Sequence, residues 1–394
     1  MADNLRSLFL LDPDLIYLNH GSFGACPRPV FEAYQTWQRK LESQPTAFLG
    51  RQITAYMAQA RNELGWFLHS APNDLVYFTN PTTAINMVIR SLPLSLGDEV
   101  LASNHEYGAM DRTWHYYARK KGFRYINHPV PVPVGNSAEL VHQFWQGVTP
   151  STKVIFISHI TSPTGLIFPV KEICRRARQA GILTIIDGAH APGQIALDLS
   201  SVGADLYTGA LHKWLCAPKG AAFLYAAESV QAWLDPLVIS WGYESEFPSN
   251  SQFIDYHEWQ GTRDMSAFLS VPAALQFQKN HDWDQLRFRC HQLAEYVQDR
   301  VNRLMGSRPL TGAGKETHHS ESVGFAQMVS IEIPPCEPKQ LQAELLKRYR
   351  IEVPVLTWEQ RNLLRVSIQA YNREDDADAL IQALTDLVSE GFFR

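Results

Sequence analysis

The chain of 394 residues exceeds the size at which a single hydrophobic core stops growing, so a large domain with a smaller companion is expected. Its 45% hydrophobic and 19% charged residues, with 10 Trp, 15 Tyr and 19 Phe, fit a compact globular protein and exclude a disordered one. A formal net charge of −5 without blocks of like charge leaves no basic field, so nucleic-acid binding is excluded.

Residues 1–15 read as an N-terminal segment. The start, MADNLRSLFLLDPDLIYLNHG, sets acidic residues among a short apolar patch and lacks a basic lead with a long apolar run, so neither signal peptide nor anchor is expected. No stretch reaches membrane-spanning length, and no membrane association is expected. From about residue 74 to 225, short apolar runs alternate with longer amphipathic ones: LVYF (75–78), EVLAS (99–103), FRYIN (123–127), KVIFIS (153–158), LTIIDG (183–188), LYTGA (206–210) and AAFLY (221–225). This alternation predicts an α/β domain with a mainly parallel sheet flanked by helices. TTAINMVIRSL (82–92) opens on threonines, and VKEICRRARQAG (170–181) follows a proline and closes on glycine, as helix signals require.

After about residue 270 the pattern changes. A long helix is expected over SAFLSVPAALQFQKN (266–280) into DWDQLRFRCHQLAEYVQDRVNRLMG (282–306), then a glycine- and histidine-bearing loop, GAGKETHHSESVG (312–324). FAQMVSIEIP (325–334) and LLRVSIQA (363–370) read as strands, KQLQAELLKRY (339–349) and REDDADALIQALTDLVSEGF (373–392) as helices. The expected division is a large domain over 16–269 and a smaller α+β domain over 270–394. Five cysteines, Cys26, Cys174, Cys216, Cys290 and Cys336, are scattered, odd in number and without metal-ligand spacing. They read as reduced thiols of a cytoplasmic protein, with no metal site expected.

The stretch YTGALHKWL (207–215) places Lys213 in apolar surroundings. Its stem could lie along apolar surface with the charge in water, or a desolvated amine could be kept for carbonyl chemistry. In an open parallel sheet ligands sit beyond the carboxyl ends of the strands, so polar residues there are the candidates. Asp187 ends LTIID; it could cap the next helix or meet a cationic ring nitrogen. Thr82 and Thr83 lie where a strand passes into a helix, a junction that suits a helix cap or a phosphate. Together the three positions point to a phosphorylated aromatic aldehyde held by the lysine amine.

The succession YLNHGSFGACPRPV (17–30), FLGR (48–51), NPTTAIN (80–86), NHEYGA (104–109), HITSPTG (159–165), DGAHAPGQ (187–194), LHKWLCAPKG (211–220), QGTRD (260–264) and LLRVSIQAYN (363–372) resembles the fold-type I pyridoxal-phosphate enzymes of aminotransferase class V. Within them it is most similar to the isopenicillin N epimerase-like group. The resemblance implies that Lys213 carries pyridoxal 5'-phosphate and moves the substrate Cα proton, that Asp187 faces the ring nitrogen, and that His190 bonds the phenolic oxygen. It implies phosphate contacts from Thr82, Thr83 and His212, with Ala210 where relatives carry a serine. Thr262 resembles a phosphate ligand donated across a homodimer, which would put the active site at the subunit interface. Tyr107, or failing that His105, takes the place of the group stacked on the ring, and would be the second acid. Ser162 takes a polar position near the cofactor oxygen or the substrate carboxylate, and Arg365 the place of the α-carboxylate ligand, for which its fork is suited. Arg51 and His20 are expected toward the distal part of an amino-acid substrate, with Phe48 and residues 241–257 also setting specificity.

The expected reaction starts with loss of a Cα proton to Lys213. Return of a proton from the opposite face gives an epimerase, the first reading; loss of a β-thiolate gives a cysteine, cystine or sulfoxide C–S β-lyase, the second. A cysteine desulfurase or aminotransferase is less favoured: residues 351–364 contain no cysteine, and Cys336 lies well before them. A non-catalytic binding protein on this scaffold is the alternative of another class; the joint presence of Lys213, Asp187 and Arg365 argues against it.

Overall fold

Most of the apolar runs form strands in the computed structural model, which describes residues 5–311 and 323–393. Residues 312–322 of the expected glycine- and histidine-bearing loop lie outside the described residues. In chain order the strands are β1 (Ile16–Tyr17), β2 (Leu75–Phe78), β3 (Glu99–Ser103), β4 (Arg124–His128), β5 (Thr152–Ser158), β6 (Leu183–Asp187), β7 (Leu206–Ala210), β8 (Ala222–Ala226), β9 (Met328–Ile333), β10 (Ile351–Glu352), β11 (Val355–Trp358) and β12 (Arg361–Ser367). A seven-stranded sheet runs β2-β8-β7-β6-β5-β3-β4. All its pairings are parallel except those of β8, which is antiparallel to both neighbours. β2, β3 and β7 are buried throughout, as expected of strands covered on both faces, and separate apolar clusters fill the two sides.

Register fixes what emerges together. Phe78 and Ala210 both lie opposite Ala222, so the segments leaving β2 and β7 start at the same edge, on either side of β8. Ser158 lies opposite Asp187, and Asp187 opposite Thr208, which brings the ends of β5 and β6 to the same edge. The helix Pro81–Ser91 starts there because Pro81 has the right φ and no N–H to lose, while the Asn80 side chain accepts the Thr83 N–H at 2.8 Å. The helix Val170–Gln179 turns Val170, Ile173, Cys174 and Ala177 into the core, one stripe at helical spacing, and leaves its arginines outside.

The C-terminal layer is the antiparallel sheet β11-β12-β9 with the helices Trp283–Met305, Pro338–Tyr349 and Glu374–Ser389. The long helix expected over 266–306 is three pieces, Ser266–Leu269, Val271–Asn280 and Trp283–Met305. The last break falls at Asp282, whose φ of 46° leaves the helical region. The piece Val271–Asn280 packs on the helices Arg28–Ser43 and Ile53–Leu68, so this part of the expected small domain lies against the large one. In the other direction, β1 pairs with β10 and Leu18 sits in the C-terminal core, so residues 16–18 join the small layer although the sequence reading gave them to the large domain. Among the described residues no helix is long and apolar enough to cross a membrane.

Candidate active site

Lys213 follows β7 by three residues and keeps some solvent exposure, whereas Asp187, His190 and Arg365 around it are buried. Burial, and then the charge of Arg365, lower the Lys213 amine to about 8, with Asp187 acting in the opposite direction. Its Nζ lies 3.2 Å from His190 Nε2. The snorkelling alternative therefore fails: the amine points inward, among a guanidinium, a neutral imidazole and a carboxylate, rather than outward to bulk water.

Asp187 is 4% exposed and receives the Ala189 N–H at 2.9 Å, yet forms no ion pair among the described residues. Burial raises its carboxyl, which the Ala189 N–H and Lys213 partly offset. Burial and the surrounding cations keep His190 neutral.

Arg365 is 6% exposed, and its guanidinium donates to Ser162 O at 2.6 Å, Ser162 Oγ at 3.1 Å and Ser22 Oγ at 2.9 Å. Its Nε has no partner, and no carboxylate pairs with it among the described residues. Burial lowers it to about 10, and the nearby Tyr107 phenol favours its charge. Ser162 thus serves the arginine directly, and Ser22, which the sequence reading passed over, does the same. Tyr107 stands at the start of the helix Gly108–Lys121 and is 47% exposed, so its ring is accessible from the solvent side.

Around the phosphate position the arrangement is mixed. The Thr82 hydroxyl makes no hydrogen bond to the described residues and sits in the first helical turn, beside N–H groups that have no helical acceptor. The Thr83 hydroxyl instead bonds Asn80 Oδ1 at 3.0 Å. His212 Nδ1 lies 3.1 Å from the Ala221 carbonyl and burial lowers the ring to about 4, so the neutral ring has its proton engaged there. Thr262 is exposed, in the turn between the helices Gln252–Glu258 and Ser266–Leu269, where a second chain could reach it.

Two expectations need correction. His105 is buried, with Nδ1 2.8 Å from Thr164 Oγ1 and Nε2 2.7 Å from the Val130 carbonyl, and its ring packs on Trp358. Both nitrogens are committed and burial lowers it to about 4, so it is a core histidine and not the stacked group or second acid. His20 is likewise buried, between Tyr371 Oη and the Lys213 carbonyl, each at 3.0 Å, and does not face a substrate tail. Arg51 is exposed in the short segment Phe48–Gln52 and bonds none of the described residues; nothing draws it to Lys213.

Glu106 escaped the sequence reading. It is buried, accepts 2.6 Å hydrogen bonds from Ser103 Oγ and Ser158 Oγ, and burial with the nearby Asp187 raises it to about 8. A serine three positions before a glutamate at the end of an apolar strand was the only available signal.

The donor set suits the group the motifs imply. A buried carboxylate without an ion pair would be met by the protonated nitrogen of a pyridine ring, a depressed lysine amine would bind its aldehyde, and an open helix start would take its phosphate.

Residues 16–380 match the family described as aminotransferase class-V. The isopenicillin N epimerase of Amycolatopsis lactamdurans is 37% identical over 397 residues, covering 98% of each chain. A probable chloroplastic L-cysteine desulfhydrase of Arabidopsis thaliana is 27% identical, over 97% of this chain and 84% of that protein. Among solved structures, a variant of C-DES, a cystine C–S lyase, with glycine covalently linked to its pyridoxal-phosphate cofactor shares the fold, with a TM-score of 0.81 at 22% identity over 95% of this chain and 97% of that one. With motif order, sheet topology and the lysine–aspartate pair in agreement, the chain belongs to the class-V aminotransferase family and is a pyridoxal-phosphate enzyme.

Proposed function

We propose that the protein removes the Cα proton of an amino acid or short amino-acid derivative and returns a proton to the opposite face, as an epimerase. The observation that carries this reading is Arg365: a buried guanidinium without a carboxylate partner, next to a lysine of lowered basicity. Such a charge is costly unless a ligand anion meets it, and an α-carboxylate fits its fork. Held there, the substrate presents Cα toward Lys213. Bound pyridoxal phosphate supplies an electron sink for the pair left at Cα. Lys213, as an uncharged amine, takes the proton on one side. Tyr107, accessible and within the field of Arg365, is the group assigned to deliver a proton on the other. In this reading Asp187 would hold the ring nitrogen and His190 the phenolic oxygen, and Thr82 with the first turn of the helix Pro81–Ser91 would hold the phosphate. Identity of 37% to an isopenicillin N epimerase supports the same choice.

Incubation with amino acids and short peptides carrying a free α-carboxylate in deuterated water tests it. Deuterium at Cα with inverted configuration is the expected result. Pyruvate with sulfide or another thiol favours the C–S lyase reading, which the 27% identity to a protein described as an L-cysteine desulfhydrase supports and for which Lys213 suffices as base. Absence of Cα exchange with any of them overturns both.

We also infer a cytoplasmic homodimer. The exposed Thr262 turn supports a site completed by the second subunit, and the scattered free thiols support a reducing compartment. Elution at twice the 44.6 kDa chain mass is expected on sizing.

A further inference from the structure

Lys213 and Trp214 are adjacent in sequence and both reach the same imidazole, from opposite sides. Trp214 Nε1 lies 3.2 Å from His190 Nδ1, and Lys213 Nζ lies 3.2 Å from His190 Nε2. An indole N–H can only donate, so Nδ1 must accept with its lone pair. His190 is neutral, because burial comes first in opposing a second proton and a charge on Lys213 or Arg365 only adds to it. Its single proton is therefore on Nε2, aimed at the lysine. An N–H in that position is met by a free amine, which has a lone pair, and opposed by an ammonium, which has none.

We propose that Trp214 is a positioning residue: its indole N–H fixes the tautomer of His190, and that tautomer favours the uncharged form of the Lys213 amine. Without it the imidazole proton could move to Nδ1, and Nε2 would then accept from an ammonium. The indole is well placed to hold this role. It is fully buried, its ring lies 5.0 Å from that of His20, and a side chain at Gly21 would collide with Met328 and Ser367 and touch it. Gln278 donates to the Trp214 carbonyl at 3.0 Å. The other groups that bear on the lysine and imidazole are Asp187 at the end of β6, Arg365 on β12, His212 in the lysine loop and His20 from the N-terminal segment. Asp187 favours the ammonium, so the tautomer acts against it.

The inference rests on Lys213 as the reactive amine, and its test uses neither cofactor nor substrate, so it can fail while the isotope experiment succeeds, and the reverse. Full-length protein freed of cofactor is labelled competitively with acetic anhydride across the alkaline range, and acylation of Lys213 is followed by mass spectrometry. In Trp214→Phe the titration midpoint of Lys213 should rise by about one pH unit, a roughly tenfold loss of free amine at neutral pH. In a His190→Gln background the same substitution should leave the midpoint in place. No rise in the single variant, or an equal rise in both backgrounds, overturns the proposal, the latter showing that looser packing moved the amine. Should Trp214→Phe not fold, imidazole ¹⁵N spectra of the wild-type protein decide, with the His190 signals identified by their loss in His190→Gln. A pyridine-type Nδ1 with a protonated Nε2 sustains the proposal, and the opposite pattern sinks it.

Discussion

The Nε2 of His20 stands 3.0 Å from the carbonyl oxygen of Lys213, while its Nδ1 stands 3.0 Å from the Tyr371 hydroxyl. The histidine thus clasps the backbone of Lys213. Burial lowers its ring to about 3, so it acts as a neutral hydrogen-bonding group throughout the physiological range. His20→Ala strands two buried polar groups and should cost about 1–3 kcal/mol of stability. Thermal unfolding of the cofactor-free protein measures this; an unchanged transition with a raised KM would return His20 to the substrate.

Arg365 sets stability against function. Arg365→Met removes a buried charge without a partner, and the free protein should unfold at a higher temperature, by up to about 1–4 kcal/mol in stability. The rate at low substrate should fall, because charge-assisted bonds to a carboxylate are worth about 1.5–3 kcal/mol, roughly a tenfold to hundredfold rise in KM. Arg365→Lys should not restore it, since an ammonium cannot reproduce the fork held by Ser162 and Ser22. A Met variant that is both less stable and fully active removes the anion-binding role.

Lys213 makes the capture of cofactor depend on pH. With its amine at about 8 rather than 10.5, the rate of cofactor uptake by stripped protein should climb about tenfold per unit up to that point and then level. For stability the sign runs the same way. Between about 8 and 10.5 the unfolded chain holds more protons at this site than the folded one, so the contribution of Lys213 to stability rises with pH across that window. Subtracting the pH profile of Lys213→Met isolates it. An uptake rate that keeps climbing to above pH 10 would show an ordinary, water-exposed amine.

Gly24 has φ of 69°, and a Cβ there would lie 2.0 Å from the His212 carbonyl oxygen. Gly24→Ala combines the cost of a backbone conformation open essentially to glycine alone, φ 69° with ψ 166°, about 1–3 kcal/mol, with a backbone collision that must displace the lysine loop. Weaker cofactor retention together with a lower unfolding temperature is expected; spectroscopic titration with pyridoxal phosphate and calorimetry read the two.

Much of the sheet was legible because strands buried on both faces are written as uninterrupted apolar runs: LVYF, EVLAS and LYTGA coincide with β2, β3 and β7. The strand-end rule then led to Asp187 and Lys213. What periodicity could not carry was the direction of β8, which depends on which edge the chain returns along, and the pairing of β1 with β10, a contact between opposite ends of the sequence. Histidines were the least legible residues. His20, His105 and His190 sit in similar motifs, yet the first clasps a backbone, the second fills a core and the third faces the lysine. Burial and tautomer decide among these roles, and neither is written in spacing. Glu106 was missed for the same reason.

The bond between Ser22 and Arg365 joins residues 343 positions apart. During synthesis the segment bearing His20 and Ser22 must wait for β10 and β12 before it can be seated, since distant contacts form only after their loop closes. Ribosome-bound chains that end before β12 therefore lack the Ser22–Arg365 contact even though Lys213 is already present, so the amine is made long before the guanidinium that the proposed substrate would meet.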